Sequence, residues 1–276
     1  MKKLILTATA VFAVLAVMII CISFLNDKDE DTSEYGVYIG AEPDDRIGTQ
    51  GKKEIVIDAE YFDAAQVAGL KKTGTKVYSY LDIGSLEDFR DDYNEYKHLA
   101  LAPYDNWPGE YWLDVSDPAW QSHIIYERAG ALYVKGVDGF FIDNTDVYYH
   151  FENEETYRAL CTILYGLQSE YMLPIIINGG DMYVTRALDE EEYVPFDAVN
   201  QETVFSHIDD YEKSVFSKNP DDERQYYTDY LSECRKNGLK VYLLEYTKDK
   251  ELKDQIKEFA EANGYGYYIS ESVGLK

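Results

Sequence analysis

The chain has 276 residues, 46% of them hydrophobic and 28% charged, with only 7 prolines. This composition excludes a disordered, collagenous or low-complexity protein and leaves room for one large domain or two small ones. Lys and Arg number 26 against 52 Asp and Glu, and a net charge of −26 argues against nucleic-acid or anionic-lipid partners while it attracts cations.

The N-terminus opens with Met1, Lys2 and Lys3, followed by 22 uncharged residues from Leu4 to Leu25. As a helix this run would span roughly 33 Å, enough for a bilayer core. Residues 1–26 are therefore expected to form an N-terminal transmembrane helix, with the N-terminus in the cytoplasm and the rest of the chain extracellular. The alternative is a cleaved signal segment and a secreted protein, although no clean Ala-x-Ala site follows the run. Cys21 lacks the small preceding residue of a lipoprotein signal. Residues 27–34 are polar and read as a tether, and the folded domain is expected over 35–276.

From Tyr35 onward, short β-rich apolar runs alternate with longer amphipathic segments. The runs are YGVYIGA (35–41), EIVIDAEYF (54–62), KVYSYLDIG (76–84), GVDGFFIDN (136–144), PIIINGG (174–180), FDAVNQETV (196–204), LKVYLLEYT (239–247) and YGYYISE (265–271). Helical patterns lie at 62–74, 117–136, 152–171, 222–238 and 248–264, several opening on Asp and closing on Gly as caps should. Eight such units, polar at the C-terminal ends of their strands, predict an α/β protein of the (β/α)8 TIM-barrel class. The first helix is expected to be vestigial and the last absent. The Tyr- and Trp-rich excursion from Ser85 to Pro118 is expected to form a loop over the active face.

A barrel exposes chemistry at its strand ends. The carboxylates there are Asp58, Asp82, Asp143, Asp146, Glu202 and Glu245, with no basic residue at any of those ends. A single strand-end acid is as often a helix cap as a catalyst, but like charge gathered around one funnel is costly unless a cation or a charge-developing reaction compensates it. Asp143 closes an otherwise apolar strand in GVDGFFIDNTDVY, and Glu202 is similarly placed two strands on. Two carboxylates facing each other across a barrel mouth suit glycosidic bond cleavage. Asp138 sits at the opposite end of its strand and reads as a structural turn residue.

The ordered set YSYLDIGSLEDFR, YWLDVSDPAWQ, GVDGFFIDNTDVY, the Glu202 strand and VYLLEYT resembles glycoside hydrolase family 114, the endo-α-1,4-polygalactosaminidases, over roughly Tyr35 to Glu271. The resemblance implies a (β/α)8 barrel that hydrolyses α-1,4-linked, partly de-N-acetylated galactosamine polymers of biofilm or cell-surface polysaccharide, without a metal or other cofactor. Carried over by motif, Asp143 corresponds to the nucleophile and Glu202 to the acid/base of a retaining mechanism. Asp82 departs from the family pattern, in which a Ser or another small residue usually precedes the Gly-Ser. Galactosamine carries a cationic amine, which gives the acidic mouth an amino-sugar polysaccharide as its natural partner.

Expected substrate-binding residues are Tyr38, Asp58, Tyr80, Asp82, Trp112, Asn144, Asp146, Asn178, Glu245 and Tyr246. Trp107, Tyr111 and Tyr148 are further aromatic candidates, but with 27 tyrosines in the chain most aromatics must serve packing or surface. His98, His123, His150 and His207 have no metal or triad spacing and read as surface residues. Cys161, in an apolar helical pattern, reads as a buried thiol. Two other readings fit the same residues: a barrel that binds a cationic polysaccharide without cutting it, or a hydrolase of another α-glycan.

Overall fold

The computed structural model describes residues 33–276, so the membrane segment expected over 1–26 and most of the tether over 27–34 lie outside the described residues. Among the described residues, no helix is long and apolar enough to cross a membrane.

Eight strands form one parallel sheet, each inside one of the eight apolar runs. They are β1 (Tyr35–Tyr38), β2 (Glu54–Ile57), β3 (Lys76–Asp82), β4 (Gly139–Asp143), β5 (Ile175–Asn178), β6 (Ala198–Glu202), β7 (Lys240–Tyr246) and β8 (Gly266–Ser270), neighbours in that order. The sheet curls into a nearly closed barrel, because β8 returns beside β1 without a continuous ladder. The Gly40 N–H donates to the Leu275 carbonyl at 3.2 Å across this seam. A Cβ at Gly40 would stand 1.9 Å from the Gly274 carbonyl oxygen, so the closure requires glycine.

The pleat sorts each strand into two faces. Tyr35, Val37, Val56, Tyr78, Tyr80, Phe141, Ile176, Leu244 and Tyr246 fill the barrel interior. The alternate residues, among them Ile55, Ile57, Leu81, Ile142, Ile177 and Leu243, pack outward in the larger core under the helices.

The expected helices form, with local chemistry that explains their ends. Asp117 accepts from the Ala119 and Trp120 N–H groups ahead of Pro118, and Asp63 makes a reciprocal capping box with Gln66. The helix that starts at Pro118 passes through a π-helical stretch, His123–Arg128. A further ten-residue helix, Asp181–Glu190, follows a left-handed Gly180, and four-residue helices form at Tyr93–Tyr96 and Val147–His150. No helix separates β1 from β2, in line with the short gap there.

Two insertions rise from the C-terminal ends of the strands. The 85–118 excursion is more ordered than a loop: Ser85–Glu87, Ala100–Pro103 and Glu110–Leu113 make a three-stranded antiparallel sheet with Glu110–Leu113 at its centre. After β6, Ser206–Asp210 and Val215–Lys218 pair as an antiparallel hairpin that the sequence pattern did not announce.

Candidate active site

The ends of β4, β5 and β6 place Asp143, Asn178 and Glu202 side by side, with Asn178 in the middle. Its Nδ2 donates to Asp143 Oδ1 at 2.9 Å and to Glu202 Oε1 at 2.8 Å. One nitrogen touching both oxygens limits their separation: the two legs, 2.9 and 2.8 Å, allow at most about 5.7 Å. The amide is held in that sense by a buried chain below it. Asn200 Nδ2 donates to Asn178 Oδ1 at 2.6 Å, and the Tyr35 hydroxyl donates to Asn200 Oδ1 at 3.2 Å. With its oxygen occupied from beneath, Asn178 can only turn its NH2 toward the carboxylates.

The two acids are held differently. Asp143 Oδ1 also accepts from the Asn144 N–H at 3.0 Å, while its Oδ2 has no hydrogen-bond donor among the described residues. Glu202 takes one donor at each oxygen, with the Tyr246 hydroxyl at 2.7 Å from Oε2. The residue after each acid adopts a left-handed backbone, Asn144 at φ 64° and Thr203 at φ 53°. That conformation is unfavourable for a β-branched threonine, and it turns the chain sharply as soon as each carboxylate has been delivered.

Burial pushes Asp143 well above the usual carboxylate range, and the charges of Asp82 and Glu202 push it further. Glu202 is also raised by burial, against the Asn178 and Tyr246 hydrogen bonds, which favour its anion. Two acids this close titrate as a pair, and the ligand-free site resists holding two negative charges.

A second acidic group flanks Asp143. Asp82 stands opposite it in the β3–β4 register. Asp82 Oδ1 accepts from the Gly84 and Ser85 N–H groups at 3.0 and 2.9 Å, and its Oδ2 from the Ser85 hydroxyl. The Ser85 hydroxyl also touches Glu110, and Asn144 Nδ2 reaches Ser85 Oγ at 2.9 Å and Glu110 Oε1 at 3.2 Å. One hydroxyl proton cannot serve both carboxyls. Burial, followed by the charge on Asp82, pushes Glu110 up to about 8, and burial raises Asp82 as well, so the two carboxyls favour holding an additional proton between them.

A family model for glycoside hydrolase family GH114 matches residues 39–271. The chain belongs to that family. The glycoside hydrolase domain of PelA from Pseudomonas aeruginosa superposes with a TM-score of 0.70 at 21% identity, over 87% of this chain and 94% of that one. Aspergillus fumigatus Ega3, in complex with galactosamine, gives 0.69 at 18% identity, over 89% and 93%. An uncharacterised protein of Deinococcus radiodurans is 23% identical over 227 residues, 78% of this chain and 70% of its own length. At such identities the solved structures establish a shared barrel fold.

Within this family 114 barrel, several residues expected to touch substrate are engaged elsewhere. Glu245 has the wrong parity, since Leu244 and Tyr246 point inward and Glu245 therefore points out. It is fully buried and accepts from the Val204, Phe205 and Ser206 N–H groups at 3.0, 3.0 and 2.9 Å and from the Ser206 hydroxyl at 2.5 Å, so it anchors the post-β6 hairpin. Tyr38 likewise faces the outer core, packed on Tyr268. Asp58 points inward but is only 2% exposed, ion-paired to Arg90 at 2.9 Å and capping Glu60 N–H at 3.0 Å. Trp112 is buried against Tyr104 and His150, with ring centroids at 4.2 and 4.4 Å, so it cannot offer a sugar platform.

Asp82 and Asp146 stand beside the pair without presenting a free oxygen. Asp146, pushed up to about 6 by burial, receives the Gly180 N–H on both oxygens at 3.1 Å and so braces the turn after Asn178. Tyr80 is buried below Asp82 and Asp143. His123, read as a surface residue, is buried between Asp92 at 2.7 Å and Glu127 at 3.0 Å. It borders a cavity of about 470 Å³ that also meets Glu60, Tyr61, Phe89, Arg90 and Arg128. Asp138 accepts the Val77 N–H at 2.9 Å and pairs with Lys71 at 2.6 Å, the structural role expected for it. Cys161 and Cys234 are buried free thiols.

The sequence reading missed Glu110, Asn200 and Tyr35. Asn200 and Tyr35 carry a detectable signal, a polar group at an inward position of an otherwise apolar strand. Glu110 carries none, because only the insertion's fold brings it beside Asn144.

Proposed function

We propose that the protein is an extracytoplasmic endo-acting hydrolase of α-1,4-linked, partly de-N-acetylated galactosamine polysaccharide, working by retention with Asp143 as nucleophile and Glu202 as acid/base. The observation that carries this reading is the single Asn178 amide touching both carboxylates. A nearest-oxygen separation of at most about 5.7 Å fits the roughly 5–5.5 Å of retaining glycosidases and leaves little room for the water that an inverting enzyme places between its acids, which stand roughly 6.5–9.5 Å apart.

The hydrogen bonds divide the roles. Asp143 Oδ1 is saturated by two N–H donors, which leaves Oδ2 for attack on the anomeric carbon. Burial favours the protonated form of Glu202, which gives its proton to the leaving oxygen, and the carboxylate so formed later takes a proton from the incoming water. A nucleophile must be ionised, yet the ligand-free site disfavours ionised Asp143. A sugar ammonium entering the mouth supplies the missing positive charge and lowers the cost of that anion. A cationic substrate thereby assists its own cleavage, a reading supported by the galactosamine bound to the Ega3 relative.

The test is incubation of the full chain with partly deacetylated α-1,4-galactosamine polymer, with mass spectrometry of the released oligomers and proton NMR of the new reducing ends. Oligomers whose α-anomer appears first, absent with Glu202→Gln, are expected. Intact polymer would overturn the proposed substrate, and β-anomer appearing first would overturn retention.

A further inference from the structure

The two insertions are footed on opposite sides of the carboxylate pair. The three-stranded insertion is tied beside Asp143, where Glu110 meets the Asn144 side chain at 3.2 Å. Beyond that foot, residues 104–110 fold back as a tight turn, with the Tyr104 N–H on the Glu110 carbonyl at 2.8 Å and Trp107 exposed at the tip. The post-β6 hairpin is tied beside Glu202. Its Ser206 hydroxyl accepts the Tyr246 N–H at 3.0 Å, and Phe216 packs on the Tyr246 ring at 6.0 Å, the same tyrosine that holds Glu202. The turn of this hairpin carries Tyr211, close enough to Glu202 to feel its charge.

The tips meet. Trp107 and Tyr211 stand edge to face, with ring centroids 5.9 Å apart and planes at 77°. Trp107 is 45% exposed, and among the described residues Tyr211 is its one aromatic neighbour. Such a pair, with Tyr211 near Glu202, is suited to stacking on the apolar faces of sugar units.

We infer that Trp107 and Tyr211 form an aromatic arch over the Asp143–Glu202 pair, beneath which the polysaccharide chain is gripped at the bond to be cut. The inference rests on the function proposed above and deepens it. The arch makes two remote segments one substrate-binding element and selects an unbranched chain, since a branch at the cleavage point would collide with it. The single edge-to-face contact parts to admit the chain and re-forms on it. Both residues would touch substrate, and neither takes part in bond making.

The test uses the full chain in the Glu202→Gln background, so that binding is read without turnover, with the deacetylated polymer as probe. Polymer binding is expected to change the fluorescence of Trp107, and Trp107→Phe should abolish that change while keeping affinity within about threefold. Trp107→Ala and Tyr211→Ala are each expected to weaken polymer binding about tenfold or more. The double variant should be scarcely weaker than either single one, the non-additivity of two groups that act as one element. In the active enzyme the same substitutions should raise KM far more than they lower kcat. Affinity and KM within twofold of the parent for both alanine variants, or fully additive losses, would overturn the arch while leaving the hydrolase reading intact. A wild-type chain that neither binds nor cleaves the polymer would instead overturn the proposed function, and the arch with it.

Discussion

Asn178→Ala is the most direct perturbation of the carboxylate pair. Among the described residues it removes the one nitrogen that touches both acids, and two hydrogen bonds of 2.8–2.9 Å go with it, each charge-assisted when its carboxyl is ionised. Such bonds contribute about 1.5–3 kcal/mol each. If one bond's worth of that stabilisation is specific to the transition state, kcat falls roughly 10- to 150-fold at about 1.4 kcal/mol per factor of ten. The same donor lowers the pKa of both acids, so its removal raises both. The acid and basic limbs of the activity profile should therefore both move upward. Reducing-end assays of the galactosamine polymer across pH give both numbers, and thermal unfolding checks that loss of the Asn200 partner has not unfolded the variant. Activity within threefold of wild type, with unmoved limbs, would refute the bridging role.

Asp143→Asn and Glu202→Gln should each lower kcat about 10²- to 10⁴-fold with little change in melting temperature, because each keeps volume while one removes the nucleophilic oxygen and the other the transferable proton; steady-state kinetics and calorimetry read both. Tyr246→Phe removes the donor that favours the Glu202 anion, so the basic limb should move upward and kcat fall about tenfold, measured as a pH profile. Glu245→Gln leaves four donors facing an amide that can accept with only one atom, and should cost about 3–5 kcal/mol, seen as a melting temperature lower by roughly 10 °C. An unchanged melting temperature would show that Glu245 does not anchor the hairpin.

The barrel was legible because burial on both faces of a parallel strand forces continuous apolar runs, and each run stops where the strand meets the rim. Asp143 and Glu202 stood out for that reason. The same logic, pressed to the residue, also rejects two of the candidates. With Tyr35 and Val37 facing in, Tyr38 must face out, and with Leu244 and Tyr246 facing in, so must Glu245. Parity is written in the sequence and needs only one anchored residue per strand. Other features are not written there. SHIDD and VFSK form a hairpin with little apolar alternation, because Glu245 fixes its base and solvent takes most of its faces. Asp58 meets Arg90 across more than thirty residues, and nothing near either announces the pair. Left-handed Asn144 suits its residue type, but left-handed Thr203 is held by tertiary structure against the local preference of a β-branched residue.

The acidic mouth is less charged than its composition suggests, and that has a measurable consequence. Burial pushes Asp146 to about 6 and Glu110 to about 8, with Asp143 also raised, so near neutrality part of this group is protonated. Without a ligand, this is how like charges share one funnel. An ammonium sugar reverses the balance by stabilising the anions, which lowers their pKa values and drives protons into the buffer. Calorimetric titration of Glu202→Gln with the deacetylated polymer at pH 6.5, in buffers of different ionisation enthalpy, should therefore show net proton release. The release should weaken as the pH rises past about 8, where Glu110 loses its proton without the ligand, and should be absent with a fully acetylated, neutral polymer. If the amino polymer binds with no buffer dependence at pH 6.5, the mouth is already anionic when the substrate arrives, and the assisted ionisation of Asp143 loses its basis.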